Sequence, residues 1–577
     1  MPTAHFDSRA KELSRRSRVN HPVKSIALFA AVLLLFTLLT VIFFRQWVSH
    51  LNSALIGPPE DNMQDFWNVW YAAVARNPSH FFFTNLIRFP EGTPLYYHSF
   101  AYPKVFAIAL LSKFVGHDAT SLILLQNLSL LISFPLAGTA AFYLVRYLTA
   151  NTAGSLMGGY IFAFNPSHVE HVMHHAHVSS IEFIPLFVLT YLLTIERKSL
   201  FFLFLTIIVY SLNALSCWYY LFYVAYFIAF HTLYIAIRDR ALPSGWQLLT
   251  PVACVAGVIA TLSPILVPMV RAAMGDVSVY TEGGDIFVAD VFAYFAVPRF
   301  HSLAPLADSI YRQLTGNEWE ATVYLGIINV FVLAWLCLAA HRQDARLLIY
   351  VLCGMATFCI FASGDSLHML GHSTIPMPDA VLSQLPFFRN VRTPSRAIVF
   401  VYMFLAIGIG QAFALGWRHW QQPTARWGMA AVAAMIMLDF FPAHGLAMTP
   451  VVCPPGLAII RDDPEKGFGV LDLPSGSPAH YLESNFYMLQ QTCHSRPIAQ
   501  GNTSRNVIVS LRDHLETQDF KAQQRQLAAS EVKYIVINRD SVGLQLHWYP
   551  EDGPENQYPL TYSVVYDGPD LMVLRVY

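Results

Sequence analysis

A chain of 577 residues that is 55% hydrophobic and only 13% charged lacks the surface of a soluble protein, which normally carries about 25% charged residues. Lipid must cover much of it, and the same composition excludes intrinsic disorder. The formal net charge of −1 lacks the basic excess of a nucleic-acid binder, so no nucleic acid is expected among its partners.

A bilayer span needs about 20 mostly apolar residues. The chain holds about eleven such runs, near 25–44, 121–147, 152–165, 179–195, 199–216, 218–237, 247–270, 321–340, 346–363, 395–416 and 427–444. Residues 101–116 are apolar but interrupted by Lys104 and Lys113, and read as a helix lying at the interface; a twelfth span is the alternative. The fold class expected is therefore an α-helical polytopic membrane protein.

Charge sets the orientation. The basic tail 1–24 carries Arg9, Lys11, Arg15, Arg16, Arg18 and Lys24, which places the N-terminus in the cytoplasm. With eleven spans, every inner loop holds a cation: Arg146, Arg197 with Lys198, Arg238 with Arg240, Arg342 with Arg346, and Arg418 with Arg426. The outer loops hold acids, among them Asp61, Asp65, Glu91, Glu170, Asp285, Asp290 and Asp365. The first run follows a tail too long for a usual signal peptide and reads as an uncleaved anchor. The membrane domain then covers 25–446, with a first outer loop at 45–120.

That loop leads from Gly57-Pro58-Pro59 into Glu60-Asp61-Asn62-Met63-Gln64-Asp65 and an aromatic helix. Asp61 and Asp65 are four apart and share one helix face. Either carboxylate suits a general base on an acceptor hydroxyl or a metal ligand. The competing reading is structural: Asp61 with Gln64 as a capping box, and Asp65 at the positive helix end. Trp67, Trp70 and Tyr71 fit an interfacial aromatic belt.

The second outer loop reads Asn165-Pro166-Ser167-His168-Val169-Glu170-His171-Val172-Met173-His174-His175-Ala176-His177. On a helix His168, His171 and His175 share a face, as do Glu170, His174 and His177. This spacing suits a divalent metal, Mg or Mn, or a substrate phosphate; solvated imidazoles on a membrane-surface helix are the alternative. HExxH is absent, and His168-x-Glu170 lacks the PCxxC partner of a zinc deaminase.

Before the tenth run, Phe388-Arg389-Asn390-Val391-Arg392-Thr393-Pro394-Ser395-Arg396 places Arg on the outer side, against the general trend. Pro394 suits a first helical turn, and a helix N-terminus beside Arg389, Arg392 and Arg396 suits a lipid phosphate. Pairing with Asp365, Asp379 or lipid headgroups is the alternative.

Residues 447–577 have no span-length run and read as a small extracytoplasmic α/β domain. Strands are expected at 470–473, 534–537 and 571–574, a polar helix at 511–530, and a hairpin joining 564–566 to 571–574 through Asp567-Gly568-Pro569-Asp570. Of seven cysteines, only Cys453 and Cys493 lie here; they can pair in an oxidising compartment, though spacing alone does not fix it. No Walker A loop, CxxC pattern or strand-linked GxGxxG is present, which argues against ATP-driven transport and nucleotide-cofactor redox chemistry.

Asp61, Gln64 and Trp67 in the pattern D-x-x-Q-x-x-W, then Pro90-Glu91-Gly92, then Arg-Thr-Pro-Ser-Arg at 392–396, resemble the GT-C superfamily of integral-membrane glycosyltransferases, in particular its uncharacterised bacterial members. The resemblance covers roughly 25–444. It implies a polyprenyl-phosphate sugar donor, a lipid, glycan or protein acceptor whose hydroxyl attacks the sugar C1 with inversion, membrane-lipid contact, and a bacterial inner (plasma) membrane. It assigns the base or metal-site acid to Asp61, with Asp65 second, and maps the second acidic position onto Glu170, where the His-rich surroundings depart from the family. A transporter or lipid flippase, or a non-catalytic assembly protein, remains the alternative. Transporters tend to carry ionisable groups mid-span, whereas the acids and histidines here gather at loop ends.

Overall fold

The computed structural model describes residues 22–76, 81–275, 284–385, 388, 391–419, 423–475, 481–504, 510–539, 546 and 548–577. Each apolar run is helical: Pro22–Phe43, Ala119–Leu131 continued by Ser133–Thr149, Thr152–Ala163, Phe183–Arg197, Leu200–Ser216, Trp218–Asp239, Trp246–Gly275, Ile327–Ala339, Arg342–Ala362, Ile398–His419 and Pro423–Asp439. Among the described residues, six helical stretches are long and apolar enough to cross a membrane, and Leu200–Ser216 and Ile327–Ala339 are apolar but shorter. The difference from eleven is one of length. Thr152–Ala163 has 12 residues, which rise only about 18 Å against a hydrocarbon core of about 30 Å. The interrupted run 101–116 is the helix Tyr102–Val115. Its Lys104 turns inward and donates to Ser179 Oγ at 2.8 Å and Ala176 O at 3.3 Å.

Composition alone does not say which apolar helix faces lipid. An 18-residue apolar core of Pro394–Arg418 is wholly buried inside the protein, whereas only 22% of the corresponding core of Ser25–Phe43 and 17% of that of Trp246–Arg271 are buried. Small residues explain the difference, because they let helix backbones approach closely. A methyl group on Gly154 would stand 2.2 Å from Gly410 O, one on Gly158 2.8 Å from Ala406 O, and one on Gly159 2.6 Å from Gly138 O. Thr152–Ala163 therefore wedges between Ser133–Thr149 and Ile398–His419, and these three helices form the heart of the bundle.

The loops at one end of this bundle carry the candidate site. Pro166–His174 starts directly after Thr152–Ala163, with Asn165 Oδ1 accepting from His168 N at 2.9 Å and Pro166 in the first turn. The Asp61–Trp70 helix lies beside it, followed by a π turn at Tyr71–Ala75.

After the last bundle helix the chain returns to the first loop, where Met448–Pro450 pairs antiparallel with Ala54–Ile56. A four-stranded sheet follows in the order Gly469–Leu473, Val532–Asn538, Leu571–Arg575, Ser563–Asp567; the first pair is parallel and the others antiparallel. The expected 511–530 helix is split. A short 3₁₀ turn occupies Leu511–His514, and a helix begins only at Phe520, where Asp519 Oδ1 accepts from Lys521 N and Ala522 N. A further helix, Tyr481–His494, lies against Asp61–Trp70. Cys453 and Cys493 form a disulfide. Leu55, Met63 and Trp67 of the first loop share one apolar core with Leu457, Val470 and Phe486, so this loop and the C-terminal unit are built around a common interior.

Candidate functional site

Asp61 opens its helix but does not cap it. Glu60 is the cap residue and makes no side-chain cap bond. The anticipated capping box does not form, because Gln64 Nε2 donates instead to Asn502 O at 2.9 Å. The Asp61 carboxylate is thereby left for other partners. Its Oδ2 lies 3.3 Å from His175 Nε2, and its Oδ1 accepts from Asn485 Nδ2 at 3.2 Å. The side chain keeps 30% of its surface exposed. Burial pushes this carboxyl upward, but the hydrogen bond and charge of His175 outweigh it and hold Asp61 below the ordinary carboxylate range. Asp65, one turn on, is buried and accepts from Ala176 N at 2.9 Å; burial pushes it up to about 7.

The histidines separate by task. His168 turns into the bundle, with Nδ1 2.6 Å from Ala163 O and Nε2 3.0 Å from both Ser133 Oγ and Ser179 O. Both ring nitrogens are engaged, and burial holds it down to about 3, so it serves as a neutral packing group. His174 turns the other way. Its Nδ1 lies 3.0 Å from Glu60 Oε2, its Nε2 3.6 Å from Glu170 Oε2, and its ring stacks on Trp319 at 4.3 Å. Glu170 is buried and pushed up to about 7. His171 and His175 face the centre, with their Nδ1 atoms 3.3 Å apart. The first face-sharing set expected from helical spacing is thus divided, since His168 parts from His171 and His175, while Glu170 and His174 of the second stay together.

Glu320 meets these two rings. Its Oε2 is 3.8 Å from His171 Nε2 and its Oε1 3.6 Å from His175 Nδ1. It also takes the Arg396 guanidinium: Arg396 Nε donates to Oε1 at 2.9 Å and to Oε2 at 3.2 Å, and Nη2 donates to Oε1. Arg396 sits in the turn before the central helix Ile398–His419, with Cζ 4.8 Å above the Tyr219 ring. Burial raises the Glu320 carboxyl, but Arg396 and the two histidines outweigh it and bring it to about 2. The carboxylate that meets Arg396 is therefore Glu320, not Asp365 or Asp379. Arg392 is exposed, and Arg389 lies outside the described residues. Sequence reading passed over Glu320 because it directly precedes an apolar run; the available signal was an acid and an arginine each poised at the start of such a run.

His171, His175 and Glu320 each offer one ligand atom, all within 4.8 Å of one another. Tetrahedral ligands at about 2.0–2.1 Å from a metal stand about 3.3–3.4 Å apart, close to the 3.3 and 3.6 Å separations around His175. Two imidazoles and a carboxylate suit zinc or manganese; magnesium prefers an all-oxygen shell. The donor set thus fits a divalent ion, with Glu320 in place of the anticipated Glu170, His168 and His174.

Neither a family model nor a curated protein matches the chain. Solved structures do. The archaeal oligosaccharyltransferase AglB from Archaeoglobus fulgidus, in complex with an inhibitory peptide and a dolichol-phosphate, is similar at 12% identity over 89% of this chain and 69% of that one, with a TM-score of 0.50. The Archaeoglobus fulgidus oligosaccharyltransferase tethered with an acceptor peptide is 13% identical over 89% of this chain and 69% of that one, TM-score 0.48. ArnT from Cupriavidus metallidurans bound to undecaprenyl phosphate is 9% identical over 96% of this chain and 99% of that one, TM-score 0.39. The first of these likenesses carries the fold: the chain shares the fold of that archaeal membrane oligosaccharyltransferase.

Proposed function

We propose that the chain is a membrane glycosyltransferase that moves a sugar from a polyprenyl-phosphate donor to the hydroxyl of a lipid, glycan or protein acceptor on the extracytoplasmic face. The observation that carries this reading is Asp61: a partly exposed carboxylate held below the ordinary range, at the mouth of the bundle, and not used to cap its helix. An ionised carboxylate within reach of solvent suits proton removal from an acceptor hydroxyl. The hydroxyl oxygen then attacks the sugar C1, the C1–O bond to the lipid phosphate breaks, and a single displacement inverts the anomeric centre.

His175 holds Asp61 ionised, and Asp65 buttresses the Ala176 backbone beside it. Arg396 spends Nε and Nη2 on Glu320, which leaves Nη1 for a donor phosphate oxygen; Arg392 and Arg389 stand nearby in the chain to add charge. His171, His175 and Glu320 would hold a divalent ion, and the chemistry it would supply there is positive charge toward a phosphate. The remaining expectations belong to the same proposal: eleven spans, a cytoplasmic N-terminus, an extracytoplasmic C-terminal unit at 447–577 and a bacterial inner membrane.

The test is turnover of a panel of polyprenyl-phosphate sugars by purified protein, with and without EDTA, beside Asp61→Asn. Donor turnover that falls steeply in the variant, to a small residual rate, supports the reading. A folded protein that turns over none of them, with several acceptors supplied, overturns it.

A further inference from the structure

The C-terminal unit sends a side chain into the candidate centre. Two carboxamides of the Tyr481–His494 helix reach the Asp61–Trp70 helix. Gln491 Oε1 accepts from Trp67 Nε1 at 2.6 Å. Asn485, fully buried, donates Nδ2 to Asp61 Oδ1 at 3.2 Å and to Glu60 O at 3.4 Å. Its Oδ1 accepts from Asn502 Nδ2 at 3.0 Å, which fixes the sense of the amide: turned over, it would set its oxygen against the carboxylate. Asn502 O in turn accepts from Gln64 Nε2, so the chain Asp61–Asn485–Asn502–Gln64 ends on the helix where it began. The disulfide to Cys493 ties down the far end of the Asn485 helix.

Asp61 is thus held on both oxygens, on Oδ2 by His175 of the membrane bundle and on Oδ1 by Asn485 of the C-terminal unit. Two grips fix the plane of the carboxylate. An ionised carboxylate offers about four acceptor positions, so lone pairs remain for an incoming hydroxyl. An amide is well suited to this task, since it donates a hydrogen bond without neutralising the base. We infer that Asn485 is a positioning residue that orients the Asp61 carboxylate toward the acceptor hydroxyl, which makes the C-terminal unit part of the transfer machinery. This rests on Asp61 being the base.

Steady-state transfer by the full chain tests it. Asn485→Ala is expected to lower kcat roughly tenfold, as loss of alignment does, with donor KM within about twofold and the melting temperature and Cys453–Cys493 disulfide preserved. Asn485→Asp keeps the shape but loses the donor, and is expected to fall at least as far. If Asn485→Ala does not fold, Asn502→Ala frees the amide without touching Asp61 and is expected to lower kcat about threefold. In an Asp61→Asn background the residual rate is expected to be indifferent to Asn485→Ala, because the residue acts through Asp61. Unchanged kcat in the folded Asn485 and Asn502 variants overturns the inference, as does an equal fall in the Asp61→Asn background. Full transfer by Asp61→Asn alone overturns the base assignment itself, a separate result.

Discussion

Asp61 and His175 meet at 3.3 Å, one from the first turn of a loop helix and the other from just past the end of Pro166–His174. The histidine is the main reason that Asp61 stays ionised against burial. His175→Ala is therefore expected to raise the Asp61 carboxyl. Since the base acts in its ionised form, the acid limb of the rate profile moves to higher pH and transfer at neutral pH falls by about tenfold or more. A pH–rate profile measures this. A limb that stays in place would show that His175 does not tune Asp61.

Arg396 and Glu320 are both buried, at 7% and 4% exposure. Removing one partner strands the other charge away from water. Glu320→Ala and Arg396→Ala are each expected to cost about 3–5 kcal/mol, whereas Glu320→Leu with Arg396→Met is expected to cost less than either alone. Thermal or denaturant melts in detergent compare them.

His171, His175 and Glu320 are expected to retain zinc or manganese in preference to magnesium. Elemental analysis of the purified protein reads this directly. His171→Ala is expected to lower the bound metal, whereas His168→Ala is expected to leave metal content unchanged and to lower stability, because both nitrogens of His168 serve the bundle.

Burial raises Asp65 from 3.8 to about 7. Between those values the folded chain keeps a proton that the unfolded chain releases, so stability falls as pH rises through this window and levels off above it. The slope from one such group reaches at most about 1.4 kcal/mol per pH unit. Asp65→Asn still accepts from Ala176 N and is expected to flatten the profile between pH 5 and 7. Glu170, raised in the same direction, keeps part of the slope. Melting curves from pH 5 to 8 show whether the slope changes.

What was legible in the sequence is what short stretches of chain decide. Apolar runs became helices, and 470–473, 534–537 and 571–574 became strands, because periodicity and turn residues act locally. Asp61 and His175 stood out as chemical residue types in conspicuous loops. Glu320 and Asn485 did not, because each gains its meaning from a partner far along the chain. Nor did any local pattern mark Ile398–His419 as the buried centre. That followed from Gly410 meeting Gly154, a contact between two helices that each read simply as apolar.

The short pairing of Ala54–Ile56 with Met448–Pro450, reinforced by Asn62 Nδ2 donating to Thr449 Oγ1 across 387 residues of chain, sets a schedule for biosynthesis. At about 5–20 residues per second, the ribosome supplies the second strand roughly 20–80 s after the first. Through that interval the loop bearing Asp61 waits without its partner strand, its disulfide-tethered neighbour helix or its shared core. The centre is complete only once Met448–Pro450, Asn485 and Cys493 have been made, and a chain stopped before Met448 would hold the bundle helices without it.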